Sequence, residues 1–350
     1  MLALLCVVAQ GVWAQTPFIV DSENGLYAAI EWPAQEIRLD ADIQLNNYLN
    51  INGVTVTIDL NGHKLSRNLS EHGNEGHVIW VHGGSNLTLI ISVDGGSIDG
   101  GMANNGDAIH IPFGNTVSAE NVIFRNNSAA DHAGAIWNNG TFTATNCTFK
   151  NNTASDVGGI YNAVSTDGTK AGTATLTNCT FTGNAGTAGA GALANAMGNT
   201  VMTIDGGTIT GNTADTYGAG IWNGGTLNMK GKITVQNNTI VGGMVSNVYL
   251  KNGNVITVTG SLTGSNIGLE LESTQGMFTS GYSNYQHGNG PLFIPDHSSI
   301  VDLGLMNREL CLMARESGSV YFIERSWDET NKKVDQWLQQ WHADAELRRC

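Results

Sequence analysis

"GAIWNNGTFTATNCTFKNNTA" occupies Gly134–Ala154, and "GGIYNAVSTDGTKAGTATLTNCTFTGNAG" follows it at Gly158–Gly186. The two stretches repeat one pattern with different spacing. A third version, "GAGIWNGGTLNMKGKITVQNNT", stands at Gly218–Thr239. Aligned on its short apolar stretch, the repeat recurs at Ile79-Trp80-Val81, Ile109-His110-Ile111, Ile136-Trp137-Asn138 and Ile160-Tyr161-Asn162. It continues at Leu193-Ala194-Asn195, Ile221-Trp222-Asn223 and Val248-Tyr249-Leu250, in steps of 24 to 33 residues. A second stretch follows at Val122-Ile123-Phe124, Cys147-Thr148-Phe149, Cys179-Thr180-Phe181, Gly207-Thr208-Ile209 and Ile233-Thr234-Val235. Three residues beyond each lies an asparagine: Asn127, Asn152, Asn184, Asn212 and Asn238.

Each repeat holds two or three very short segments with apolar residues at every second position, separated by Gly, Asn and Thr. Helical periodicity is absent. So short a unit cannot bury an apolar face alone and must stack on its neighbours. Stacked coils of parallel strands form a β-helix, and loops of any length can leave a coil sideways without disturbing the stack. "AVSTDGTKAG" (Ala163–Gly172) reads as such a loop. The fold class expected is all-β: a single-stranded parallel β-helix of roughly eight to ten coils, the repeat region divided by its mean step.

Alternation assigns the faces. Ile79, Ile109, Ile136, Ile160, Leu193, Ile221 and Val248 point inward, so the residue after each points out. Phe124, Phe149, Phe181, Cys147 and Cys179 point inward in the second stretch. Asn138, Asn162, Asn195 and Asn223 turn inward near a corner. A buried amide is costly unless paired, so these asparagines should bond from coil to coil.

The segments "GGIYN", "GAIWN" and "GAGIWN", with "NCTFTGN" and "NCTFKNN", resemble the repeats of polymorphic outer membrane proteins and of surface β-helix proteins from Bacteroidetes. The resemblance covers roughly residues 36 to 265. It implies right-handed coiling, export, and a secreted or outer-membrane-associated location. It implies no chemistry, because its pattern names structural positions only.

The remaining chain divides around the repeats. Residues 1–14, "MLALLCVVAQGVWA", read as an atypical signal peptide or as one whose start lies further upstream. Residues 15–35 hold a short helix with a serine cap, expected to cover the first coil. The β-helix spans 36–271, a C-terminal region of loop and strands 272–334, and an amphipathic helical tail 335–350. No stretch is long and apolar enough for a membrane-spanning helix. The 30 acidic and 16 basic residues leave a net charge of −14, which argues against nucleic acid and anionic membrane as partners.

The outward row is Trp80, His110, Trp137, Tyr161, Ala194, Trp222 and Tyr249. Exposed rings in a row can stack on sugars, so Trp80, Trp137, Tyr161, Trp222 and Tyr249 are the candidate ligand-binding residues; the competing reading is that they cover one another. Asp131, Asp156 and Asp215 recur in one loop context, with Asp107 near the equivalent place. Stacked carboxylates offer a catalytic pair (Asp131, Asp156, Asp215) or a calcium site (Asp107, Asp131, Asp156), and otherwise serve turn backbones. Calcium is the one cofactor suggested. Arg125 and Lys150 share a register and lack flanking carboxylates. His63, His72, His77, His82 and His132 show no zinc spacing and read mostly as exposed polar residues. Cys147 and Cys179 read as two buried thiols. No nucleotide loop, nucleophile elbow or cofactor fingerprint is present. The expectation is a non-catalytic secreted or surface-attached protein that binds glycans or host surfaces. The alternative is a polysaccharide-degrading lyase or glycoside hydrolase.

Overall fold

A computed structural model gives the fold. The structure describes residues 16–32, 35–67, 69, 76–100, 102–103, 107–165, 167–251, 253–272, 276–287, 292–296, 308–316 and 319–326. The signal segment 1–14 and the tail 335–350 lie outside the described residues.

One coil shows how the sequence makes the turns. Its four strands are Ile136–Asn138, Thr141–Thr145, Thr148–Lys150 and Thr153–Ala154. Each pairs in parallel with its counterpart one coil on: Ile136 with Ile160, Phe142 with Ala174, Phe149 with Phe181, and Thr153 with Ala185. The bend between second and third strands is made by Asn146 (φ 53°), and the next by Asn151 (φ 55°). A one-residue corner needs the left-handed region, which Asn tolerates better than other side-chain-bearing residues. Asn121, Asn126, Asn178 and Asn237 repeat the conformation. The stack is a parallel β-solenoid of about 8 turns.

The loop Ala163–Gly172 leaves this stack as expected. The Gly172 amide donates to the Ala163 carbonyl at 2.9 Å, and Val164 pairs antiparallel with Ala171. Thr173 then resumes the register opposite Thr141.

The core is a set of ladders running along the stack. Ile79, Ile109, Ile136, Ile160, Leu193, Ile221 and Val248 are all completely buried. Phe124, Phe149 and Phe181 stack face to face, with centroids 4.8 and 4.6 Å apart and rings within 8° of parallel. Each buried Phe contributes roughly 2–3 kcal/mol of transfer free energy, and neighbouring rings add about 1 kcal/mol.

Two buried asparagine ladders hold the corners. Asn138, Asn162, Asn195 and Asn223 pass a hydrogen bond from each Nδ2 to the next Oδ1 at 2.8, 2.9 and 2.9 Å. The second ladder, Asn127–Asn152–Asn184–Asn212–Asn238, was marked in the sequence only by its spacing. Its Nδ2–Oδ1 bonds are 2.8 to 2.9 Å, and each Oδ1 also accepts the backbone amide of the preceding asparagine. The Nδ2 groups of Asn152, Asn184 and Asn212 also donate to the carbonyls of Phe124, Phe149 and Phe181. Such full pairing makes a buried amide tolerable.

At the N-terminal end, helix Glu23–Glu31 begins at Ser22, whose hydroxyl accepts the Gly25 amide, and it buries Leu26 and Ala29 in the core. Near the other end, strands Arg308–Glu316 and Ser319–Ser326 pair antiparallel, and Gly276–Met277 joins them. Among the described residues, no helix is long and apolar enough to cross a membrane.

Candidate ligand-binding face

The first strand of each coil places one side chain on the outer face. Strict register brings Trp80, His110, Trp137, Tyr161, Ala194, Trp222 and Tyr249 into a single column. Their planes follow from the stacking. The His110 imidazole lies 4.3 Å from the Trp137 indole at 9°, and 6.5 Å from Trp80 at 13°. In this part of the column the rings turn their faces to one another along the stack. What they offer outward is mainly edges.

More rings close around this part. Trp80 meets His82 at 4.8 Å and Tyr48 edge-on at 5.5 Å. His132 leans on Trp137 at 4.3 Å. At Ala194 the aromatic column is interrupted. Tyr161 and Trp222 pack against Ala194, Val157 and Ala190, leaving Ala194 buried. Tyr249 is only 6% exposed and lies under Tyr217, with ring centroids 4.7 Å apart. Trp222 has the Lys251 ammonium 6.0 Å from its ring. The Nε1 atoms of Trp80 and Trp137 are buried and have no hydrogen-bond partner among the described residues.

The acidic residues are placed less regularly than their spacing suggests. Asp107 is buried, and one carboxylate oxygen bonds His77 Nδ1 at 2.8 Å while the other, Oδ2, has no partner among the described residues. The Asp156 amide donates to the Asp131 carbonyl at 2.8 Å, so these two residues stand on neighbouring coils. The Asp156 carboxylate turns to His132 Nδ1 at 3.0 Å. Asp215 is exposed and lies beyond an intervening coil that carries Ala188, whose amide donates to the Ser155 carbonyl. Among the described residues, no group of three or more His, Cys, Asp or Glu is arranged to hold a metal ion.

Charge on this face is set by the imidazoles. Burial pushes His110 below the usual histidine range, against the pull of Asp107. The hydrogen bond to Asp156 holds His132 above that range, despite partial burial. Burial and then Asp156 raise the Tyr161 phenol. Near neutral pH the face therefore combines neutral His110 with the His132–Asp156 pair.

Several contacts escaped the sequence reading. His77 is buried and bonded to Asp107, not an exposed polar residue. Arg125 pairs with Asp99 on the preceding coil at 2.7 Å, a carboxylate distant in sequence. The signal that could have found both is coil register: Asp99 aligns with Arg125, and His77 lies two residues before Ile79 just as Asp107 lies two before Ile109. Cys147 and Cys179 are free, buried thiols on adjacent coils, each donating to a backbone carbonyl, Ala119 and Ala144 respectively.

No family model, no curated protein and no solved structure matches the chain.

Proposed function

We propose that this chain is a secreted or surface-attached bacterial β-helix protein that binds glycans or host-surface ligands on the outer face of its first strands, without catalysis. The observation that carries this reading is the column of half-buried rings Trp80, His110, Trp137 and Tyr161 beside the part-exposed His132–Asp156 pair. A hydroxyl-rich ligand supplies donors for the Asp156 carboxylate, while the ring edges cover its C–H surface. The fold is compatible with such a role. The repeat resemblance to polymorphic outer membrane proteins supports export and surface display. A stiff rod with repeated weak contacts accumulates binding strength along its length.

Tyr161 and Trp137 are the anchors of the binding face. Trp80 and Trp222 extend it, while Tyr249, buried beneath Tyr217, supports the face without reaching a ligand. A glycan array comparing wild type with Trp137→Ala/Tyr161→Ala tests the proposal. Binding by wild type and its loss in a variant with an unchanged circular dichroism spectrum is expected. No glycan binding by folded wild type overturns it. The same preparations, screened for cleavage of pectins, alginate, glycosaminoglycans and fructans, decide the rival enzymatic reading. Activity abolished by Asp131→Ala or Asp156→Ala would replace binding with catalysis.

A further inference from the structure

The outer face of the second strands carries a different array. Its first column is Thr55, Asn86, Thr116, Thr141, Thr173, Val201 and Thr226. Its second is Thr57, Thr88, Ser118, Thr143, Thr175, Thr203 and Asn228. The second column runs on through Thr257 and Ser280. Every one of these side chains is exposed or half-exposed from Thr55 to Asn228. The register is unbroken there, because the shift in these strands falls further on, between Asp205 and Gly207.

We propose that this two-column threonine array is an ice-binding surface. Threonine favours strands, which accounts for its presence on an outer face. Strand preference does not account for the missing charges. The chain has a net charge of −14, and solvated sheet faces normally interleave Lys and Glu. From Thr55 to Asn228 neither column holds a charged residue; the second reaches one only at its N-terminal end, where Glu36 aligns with Thr57, whereas the neighbouring column carries Asp59, Glu120, Asp205 and Lys230.

Regularity supplies the recognition. Rows repeat at about 4.8 Å along the stack and alternate residues at about 6.6 Å along a strand. Those repeats lie close to the oxygen repeats on faces of hexagonal ice. Seven rows, six steps of about 4.8 Å, make a strip about 29 Å long. The β-branched side chain has few χ1 choices, so its hydroxyl and methyl are held in order before any ligand arrives. Among the described residues, the Thr143 and Thr175 hydroxyls have no protein hydrogen-bond partner; the columns bond internally only near their ends, as in Asn86 to Thr55 and Asn228 to Thr203. A single hydroxyl holds a water or a sugar negligibly. Only a rigid ligand with the same two-dimensional repeat engages all rows together, and then the weak contacts add. A soluble glycan lacks that fixed repeat, and this face offers it neither ring nor carboxylate.

The test uses the full chain in nanolitre osmometry and ice-affinity partition. Wild type is expected to enter ice, shape the crystals and hold back their growth. Thr143→Lys/Thr175→Lys should lose all three with an unchanged melting temperature. Thr213→Lys, on the separate fourth-strand face, should keep them, as should Trp137→Ala/Tyr161→Ala. Thr143→Ser/Thr175→Ser, which removes only two methyl groups, should fall between and serves if the lysine variant does not fold. Folded wild type that leaves ice unshaped overturns the proposal, as does equal activity in the lysine variant. Either outcome leaves the glycan reading of the first-strand face untouched.

Discussion

The His110 imidazole lies parallel to the Trp137 indole, 4.3 Å between centroids and 9° apart, because two consecutive coils place these residues in one register. His132 leans on the same indole, 4.3 Å between centroids, while bonded to Asp156. Two histidines that touch one indole are thus shifted in opposite directions.

The pH dependence follows from those signs. His132 has a raised folded pKa, so its contribution is fully present below the unfolded value of about 6.5 and disappears as pH rises through the folded value. His110 has a lowered folded pKa. Its neutral form is favoured in the fold, so stability is full above about 6.5 and falls as pH drops towards the folded value. His132→Gln should therefore lose stability relative to wild type mainly on the acid side of the folded His132 value. His110→Phe should flatten the decline below about 6.5. Melting temperatures across that range, with histidine NMR titrations, check both; a His110 that titrates above His132 contradicts the assignment.

Asn184 should be among the most sensitive positions in the chain. Its Oδ1 accepts both the amide and the Nδ2 of Asn152, and its own Nδ2 donates to Asn212 and to the Phe149 carbonyl. Asn184→Ala leaves several buried groups unpaired at about 1–3 kcal/mol each. A loss of roughly 3 kcal/mol or more in urea denaturation is expected. Asn127, at the end of the same ladder, should cost less.

Phe149 sits between Phe124 and Phe181 and is completely buried. Phe149→Ala should cost about 3–5 kcal/mol, since the stacked neighbours cannot collapse into the space. Phe149→Leu should recover a substantial part of this. Denaturant midpoints at constant slope measure both.

Asn146 turns a corner with its backbone in the left-handed region, at φ 53°. Asn146→Gly should change stability by no more than a few tenths of a kcal/mol, whereas Asn146→Val should cost about 1–2 kcal/mol. The two variants differ in backbone tolerance, so equal stabilities would show that the corner relaxes.

Much of the fold was legible because one requirement recurs in every coil. An inward Ile at 79, 109, 136, 160 and 221 and inward Phe at 124, 149 and 181 announce the core, and variable spacers such as Ala163–Gly172 announce side loops. The first asparagine ladder followed from the same alternation. The second did not, although its spacing was visible, because it sits past a one-residue corner where period-two counting restarts.

The sequence by itself determined which residues face in and which face out, since that depends only on local alternation and the need to bury apolar side chains. It also determined the column Trp80 to Tyr249 and contained the threonine columns as alternate residues that read T-x-T in full at Thr55–Thr57, Thr141–Thr143 and Thr173–Thr175. Tertiary structure alone decided what those columns present. Whether a ring shows its face or its edge depends on a neighbour 24 to 33 residues away, as with His110 against Trp137. Whether Asp156 meets Asp131 or His132, and whether Arg125 finds Asp99, depends on how whole coils of unequal length come into register. Hydrogen bonds and ring contacts act over a few ångströms. Residues distant in the chain reach that range only once the solenoid has closed.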